Sequence, residues 1–162
     1  MNRHQAGQAL DVTPQPLRKL IDAGVLPTAV NDGRHVLIDE TDVDNLQWDL
    51  LDSDHPPAVV VSMAAKDLDD PDSLGWHVNL SEVEKREAAR RTWRISGDLR
   101  NMPLVVTVSG FVVAVYLIVD QKDEGNGGKS FELETIPADK NPASQFINKR
   151  IPLRRGSFVY LI

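Results

Sequence analysis

The stretch from Arg3 to Leu26 constrains the fold more than any other part of the chain, because it carries start and stop signals for two short helices. The first helix is predicted over about 2–10. Thr13 then stands where an N-cap residue is expected, and Pro14 follows at the first helical position, where a missing backbone N–H costs nothing. Apolar residues recur at helical spacing until Gly24, a residue typical of the position just after a helix. A helix, a tight turn and a second capped helix form a helix-turn-helix, which places its second helix in the DNA major groove.

The segment after the second helix predicts a two-stranded wing and a third helix. Two short apolar runs, residues 25–30 and 36–38, flank Asn31-Asp32-Gly33-Arg34, a turn signal in which glycine supplies a positive φ. Asp39 is suited to cap a helix that runs from Glu40 to about Leu51. A hairpin at this place completes the plan of a winged helix-turn-helix.

The first 51 residues share a set of packing and turn positions: Ala6, Leu10, Val12, Thr13, Leu17 to Ile21, Gly24-Val25-Leu26-Pro27 and Asp42-Val43-Asp44. In these positions the segment resembles the winged helix-turn-helix of the excisionase and MerR-type families. The resemblance implies sequence-directed binding of double-stranded DNA, with the second helix in the major groove and the wing on the backbone or minor groove. Helix and wing positions predict the DNA-contacting residues Thr13, Gln15, Arg18, Lys19, Arg34 and His35, although His35 also fits a solvated turn.

The charge distribution argues against a general nucleic-acid binder. The net charge is −6, and residues 1–81 hold five Lys/Arg against fourteen Asp/Glu, which gives −9. Residues 82–162 hold thirteen and ten, which gives +3. DNA-binding domains usually neutralise phosphates with Lys and Arg, so the acidic first half favours a competing hypothesis, an acidic protein-interaction module.

Other classes of protein lack support in the sequence. There is no Cys, which excludes disulfides and thiolate metal sites, and no apolar run is long enough for a membrane helix. The four His residues fall in different predicted elements, without metal-ligand spacing. We find no catalytic motif and no hydrophobic leader. The expectation is a cytoplasmic, non-enzymatic protein without metal or cofactor.

A second domain is predicted after a short linker. Residues 52–57 are polar and end in two prolines, which separates a domain of residues 1–51 from one of residues 58–162. The runs 104–108 and 111–119 are dense in β-branched residues and predict central strands buried on both faces. Five or six strands with one or two helices predict a small mixed β-barrel-like domain, so the fold class is α+β.

Shorter signals complete the prediction for this domain. Gly75–Leu80 suggests a short strand, and Asp123–Lys129 suggests a flexible loop. Ser81 and Glu84 have the spacing of a capping box, which opens a helix to about Arg91.

A loose pattern also spans the second half of the chain: Ala88-Ala89-Arg90, Trp93, Ile95-Ser96, Val105 to Val108, Gly110 to Val113, Val115-Tyr116, Phe146-Ile147, Lys149-Arg150, Arg155-Gly156-Ser157 and Val159-Tyr160. With it, this half looks like PUA-related β-barrel domains, the group that includes EVE-type readers of modified bases. The resemblance implies nucleic-acid binding, sometimes with a flipped base in an aromatic pocket, for which Trp76 and Trp93 are the candidates. A reader of modified DNA or RNA is therefore a further hypothesis.

Two groups of basic residues predict secondary nucleic-acid contacts: Arg90, Arg94, Lys149, Arg150, Arg154 and Arg155. The alternative for the second group is a solvated edge that blocks pairing between sheets. Trp48 is expected to pack the third helix against the linker or the second domain.

Overall fold

The computed structural model describes residues 1–154 and 156–162, and it shows an α+β fold, as predicted. The described residues form five helices: α1 (Arg3–Leu10), α2 (Pro14–Asp22), α3 (Glu40–Asp44), α4 (Glu82–Arg90) and α5 (Ala143–Phe146). They also form ten strands: β1 (Val30–Asn31), β2 (Val36–Leu37), β3 (Asp49–Leu50), β4 (Val59–Ser62), β5 (Trp93–Arg94), β6 (Pro103–Val108), β7 (Phe111–Gly125), β8 (Gly128–Thr135), β9 (Lys149–Arg150) and β10 (Val159–Leu161).

The two N-terminal helices begin and end close to the predicted residues. Asn2 and Gln5 form a reciprocal capping box at the start of α1, in which each side chain accepts the other's backbone N–H. Thr13 is the N-cap of α2 with Pro14 at its first position, and Gly24 follows with a φ of +74°. The local signals therefore specified both helices.

The hairpin at the place of the predicted wing is short, and the third helix is shorter than predicted. The strands β1 and β2 pair through only two residues each, and residues 25–29 are not part of the hairpin. Asp39 does cap α3, but α3 ends at Asp44 and not near Leu51. The reason is tertiary: β3 pairs in parallel with β9, which draws the chain out of the helix and into the main sheet.

The main sheet is open and mixed, so the prediction of a barrel-like domain was wrong. Its strands follow the order β10-β4-β6-β7-β8-β5, with β3 and β9 attached beside this path. Neighbours are antiparallel except β4 with β6, which are parallel, and β3 with β9. The prediction of a central strand holds for β6, which lies between β4 and β7 and is buried along its whole length. Because β10 and β5 end the order at opposite sides, the sheet does not close.

Two segments of the second half differ from the predictions. Residues 123–129 are not a flexible loop, since β7 runs to Gly125 and turns through Asn126-Gly127 into β8. Both turn residues have positive φ, as a type I′ hairpin requires. Gly75–Leu80 is not a strand either, because only Trp76 forms a bridge there. The capping box at Ser81 is present and opens α4.

The N-terminal helices and the sheet share one hydrophobic core. Side chains of α1 and α2, such as Leu10 and Leu20, belong to the same buried cluster as Val59 and Phe111. The Trp48 ring packs 5.6 Å from the Phe111 ring, which confirms its predicted contact with the second half, although Trp48 lies beyond α3. The predicted linker, residues 52–57, therefore joins two parts that pack directly against each other.

Three hydrogen bonds reinforce the contact between the N-terminal 51 residues and the rest of the chain, which we call the seam. The Arg150 guanidinium Nη1 donates to the Leu10 carbonyl at 2.6 Å, at the C-terminal end of α1. The Ser109 hydroxyl, in the β6–β7 turn, donates to the Pro16 carbonyl at 2.8 Å. The Leu51 backbone N–H donates to the Arg150 carbonyl at 2.8 Å. The sheet thus fixes the position of α1 and α2.

Candidate nucleic-acid interface

The N-terminal half of α2 presents its polar side chains outward. Leu17 and Leu20 are buried in the core, whereas Gln15 and Arg18 lie on the opposite side and are exposed. This division follows from the helical period of the sequence. Thr13 caps the helix by position only, because its side chain makes no capping hydrogen bond. Its hydroxyl is therefore free to meet another molecule.

A groove of about 910 Å³ runs between α1 and the start of α2. Its lining comes from both helices and the turn between them: Arg3, His4, Gly7, Gln8, Asp11, Val12, Thr13, Pro14, Gln15, Leu17 and Arg18. The predicted residues Thr13, Gln15 and Arg18 thus lie together on one concave surface. Arg18 also approaches Asp22 at 3.7 Å, in an exposed pair that contributes at most about 1 kcal/mol. This pair therefore holds Arg18 only weakly.

On its other side, α2 faces the C-terminal segment across a cleft of about 470 Å³, which we call the seam cleft. Its lining combines α2, the ends of two strands and the segment after β9: Thr13, Gln15, Pro16, Lys19, Ser62, Ser109, Leu153, Arg154, Gly156, Ser157 and Phe158. Two predicted groups of residues meet here, since Lys19 belongs to α2 and Arg154 to the second basic group. The Arg154 guanidinium also lies 4.3 Å from the centre of the Tyr160 ring.

The wing tip carries one free and one engaged residue. Arg34 is exposed in the four-residue loop between β1 and β2. His35 contacts the Asp32 carboxylate through its ring Nδ1 at 3.2 Å. Backbone N–H groups of His35 and Arg34 donate to Asp32, and with the His35 ring they lower the pKa of that carboxyl. The His35 ring thus remains exposed, with its Nδ1 held by Asp32 within the turn.

The other predicted basic residues are dispersed. Arg90 pairs with Glu87 at 3.4 Å on α4, and Arg94 lies exposed on β5, beside the β7–β8 turn. Lys149 and Arg150 form β9. Arg155 lies outside the described residues. Of this set, only Arg154 is brought next to α2 in the described chain.

Arg150 is not a nucleic-acid contact in this structure, which corrects the prediction. Its guanidinium is half-buried between the Leu10 carbonyl and the face of the Phe111 ring, 4.5 Å from the ring centre. A side chain held on both sides in this way serves the packing of α1 against the sheet.

Neither tryptophan candidate is fully exposed. Trp76 is 1% exposed and belongs to the core, so its assignment to base stacking was wrong. Trp93 is half-buried, and its indole N–H donates to the Ala89 carbonyl at 2.8 Å. The exposed aromatic side chain near α2 is instead Phe158, at 68% exposure. No local pattern points to Phe158, because its exposure depends on where the C-terminal segment is placed.

Acidic residues lie mostly away from these surfaces. The acids of α3 and its cap, such as Asp39 and Glu40, line neither the α1–α2 groove nor the seam cleft. His77 is half-buried beside the end of α2, and burial, followed by the charge of Lys85, lowers its pKa. Arg3 and His4, which were not among the predicted DNA contacts, also line the α1–α2 groove.

Within residues 1–154 and 156–162, no helix is long and apolar enough to cross a membrane. No group of three or more His, Asp or Glu side chains in this described part is placed to hold a metal ion. No match to the chain is found among models of known protein families, curated proteins or solved structures.

Proposed function

We propose that this protein binds double-stranded DNA in a sequence-directed manner through the N-terminal end of α2 and acts as a non-enzymatic regulator. The observation that carries the proposal is that this helix end is exposed and carries polar side chains. It stands between two open concavities, and its exposed side carries Thr13, Gln15 and Arg18. Recognition helices contact base edges with residues of this kind at this end.

Each side chain has a role that its chemistry suits. Gln15 has the amide geometry that pairs with the N6 and N7 edge of adenine, and Arg18 has the fork that pairs with guanine. The free hydroxyl of Thr13 can donate to a base or a phosphate. Lys19 and Arg154, on the flank of α2, and Arg34, at the wing tip, supply positive charge for phosphates.

The acidic character of the chain limits how much electrostatic attraction can contribute to its affinity for DNA. Few cations flank α2, and the net charge of −6 repels a duplex at long range. We therefore expect binding that depends on a cognate sequence and that is weak on other DNA. A steep loss of affinity with salt is not expected, because few phosphates are neutralised.

The test is a selection of binding sites from random duplex DNA with the full chain, followed by titration of variants on the selected site. Arg18→Ala should weaken cognate binding by about 1–3 kcal/mol and relax the preference at one position. Arg34→Ala should weaken binding to all sequences about equally and lower the salt slope by about one ion. Arg91→Ala, an exposed arginine at the end of α4, is the matched control and should change neither.

Two outcomes of this experiment would contradict the proposal. If no sequence is enriched, or if Gln15→Ala and Arg18→Ala leave duplex binding unchanged, α2 is a packing helix and the acidic-module hypothesis replaces this proposal. That hypothesis rests on the −9 charge of the first half.

A further inference from the structure

The seam cleft has a charge pattern that the four other cavities described in this structure lack. Its described lining contains Lys19 and Arg154 and no carboxylate. Four other cavities of the described chain each include at least one Asp or Glu. In a chain with 24 acidic and 18 basic residues, an acid-free cleft with two cations favours an anionic ligand.

The cleft also exposes a ring. Phe158 lies in its lining with 68% of its surface exposed, although an apolar side chain of this size is usually covered. Its backbone is fixed, because its carbonyl accepts the Ser62 N–H at 2.8 Å. Leu153, 60% exposed, lies in the same lining. A flat apolar face is therefore held next to two cations.

Other polar groups of the same lining have both donor and acceptor capacity. Thr13 and Ser157 contribute hydroxyls, and Gln15 contributes an amide. Arg154 is held over the Tyr160 ring, so its guanidinium is pre-positioned. The volume of about 470 Å³ falls within the range of about 300–1,000 Å³ that small-molecule sites occupy.

We propose that the seam cleft binds a nucleoside phosphate, with the base stacked on Phe158 and the phosphate paired with Lys19 and Arg154. Aromatic rings bind any base through its flat face, and Gln15 and Thr13 can pair with a base edge. The nucleotide is either free or part of a single strand, and both present the same chemistry. This site goes beyond duplex recognition, because it shares Thr13, Gln15, Lys19 and Arg154 with the proposed duplex surface but adds the exposed ring of Phe158.

The test uses calorimetric titration of the full chain with three kinds of probe: the deoxynucleoside 5′-monophosphates, a single-stranded oligothymidylate, and phenyl phosphate. Binding of a mononucleotide or of the oligonucleotide supports the site, and the one that binds more tightly identifies the source. Phenyl phosphate has a ring and a phosphate but no base edge. It should bind more weakly, and equal binding would overturn the assignment to nucleotides.

Variants separate this site from the duplex surface. Phe158→Ala should weaken binding about fivefold or more, whereas Phe158→Tyr should retain it, since a tyrosine ring also stacks. Arg154→Ala should weaken binding of the mononucleotides. The matching unphosphorylated nucleosides, titrated as a fourth kind of probe, should bind the variant and the wild type equally. Arg18→Ala is the matched control, because Arg18 lines the α1–α2 groove and not the seam cleft.

Two results would overturn the proposal. One is the absence of binding by the mononucleotides and the oligonucleotide at millimolar concentration. The other is binding that neither Phe158→Ala nor Arg154→Ala weakens, with circular dichroism showing that both variants are folded. Loss of duplex binding in Arg18→Ala with intact nucleotide binding would show that failure of the proposed duplex function does not entail failure of this one.

Discussion

Replacing Arg150 with alanine tests whether the N-terminal helices depend on the sheet. The guanidinium satisfies the carbonyl of Leu10, one of the carbonyls at the end of α1 that have no partner within the helix. Leu10 is 2% exposed, so water is a poor substitute. A hydrogen bond from a charged donor contributes about 1.5–3 kcal/mol, and the contact with the Phe111 ring adds about 0.5–2 kcal/mol. Arg150→Ala should therefore lower the free energy of unfolding by about 2–4 kcal/mol.

Urea unfolding, followed both by tryptophan fluorescence and by circular dichroism, measures this loss. Because the core is shared, both signals should report one transition in the wild type. Lys149→Ala, on the same strand, is the control and should change stability by less than about 0.5 kcal/mol. Arg150→Lys should recover part of the loss, because it keeps the charge but not the planar fork. A loss in Arg150→Ala no larger than that of the control would refute the seam as described.

Three further predictions concern single positions. Ser81→Ala removes the hydroxyl that caps α4 and should cost about 0.5–2 kcal/mol in urea unfolding; an unchanged midpoint would contradict the capping role. Gly110→Ala should lower the melting temperature more than Gly127→Ala. Both have positive φ, but only at Gly110 would a Cβ collide, with the Ile151 carbonyl. Burial lowers the pKa of His77 below its ordinary value of 6.5, so the folded state binds its proton less readily than the unfolded state. Stability should therefore fall as the pH drops below 6.5, and His77→Gln should flatten that slope in urea titrations across pH.

Features that depend on neighbouring residues were predictable from the sequence. The N-cap Thr13, the proline after it and the capping box at Ser81 each act within one helical turn, so the starts of α2 and α4 were found correctly. Helical spacing likewise placed Gln15 and Arg18 on the side opposite the buried leucines. Local chemistry therefore determined the elements and the outward face of α2.

Features that depend on distant pairing were missed. The end of α3 is set by the pairing of β3 with β9, about a hundred residues later in the chain, and no residue near Asp44 signals it. The open sheet follows from which strands pair, which the apolar runs do not encode. One error was local: Asn126-Gly127 is a hairpin signal, but the polar residues around it suggested a loop. Those residues are polar because the end of that hairpin is largely exposed.

The seam changes how the two halves contribute to binding. The Ser109 hydroxyl holds the Pro16 carbonyl, inside the first turn of α2, so the sheet sets the direction in which this helix end points. Ser109 and the start of α2 also line the seam cleft together with Arg154 and Phe158 of the C-terminal segment. An isolated N-terminal half would expose its share of the core and lose this support. In the proposed function, the sheet acts first as a scaffold that pre-organises α2, and this reduces the entropy lost when α2 binds DNA. Its cations are a secondary contribution, and point variants of the full chain, not separated halves, distinguish the two effects.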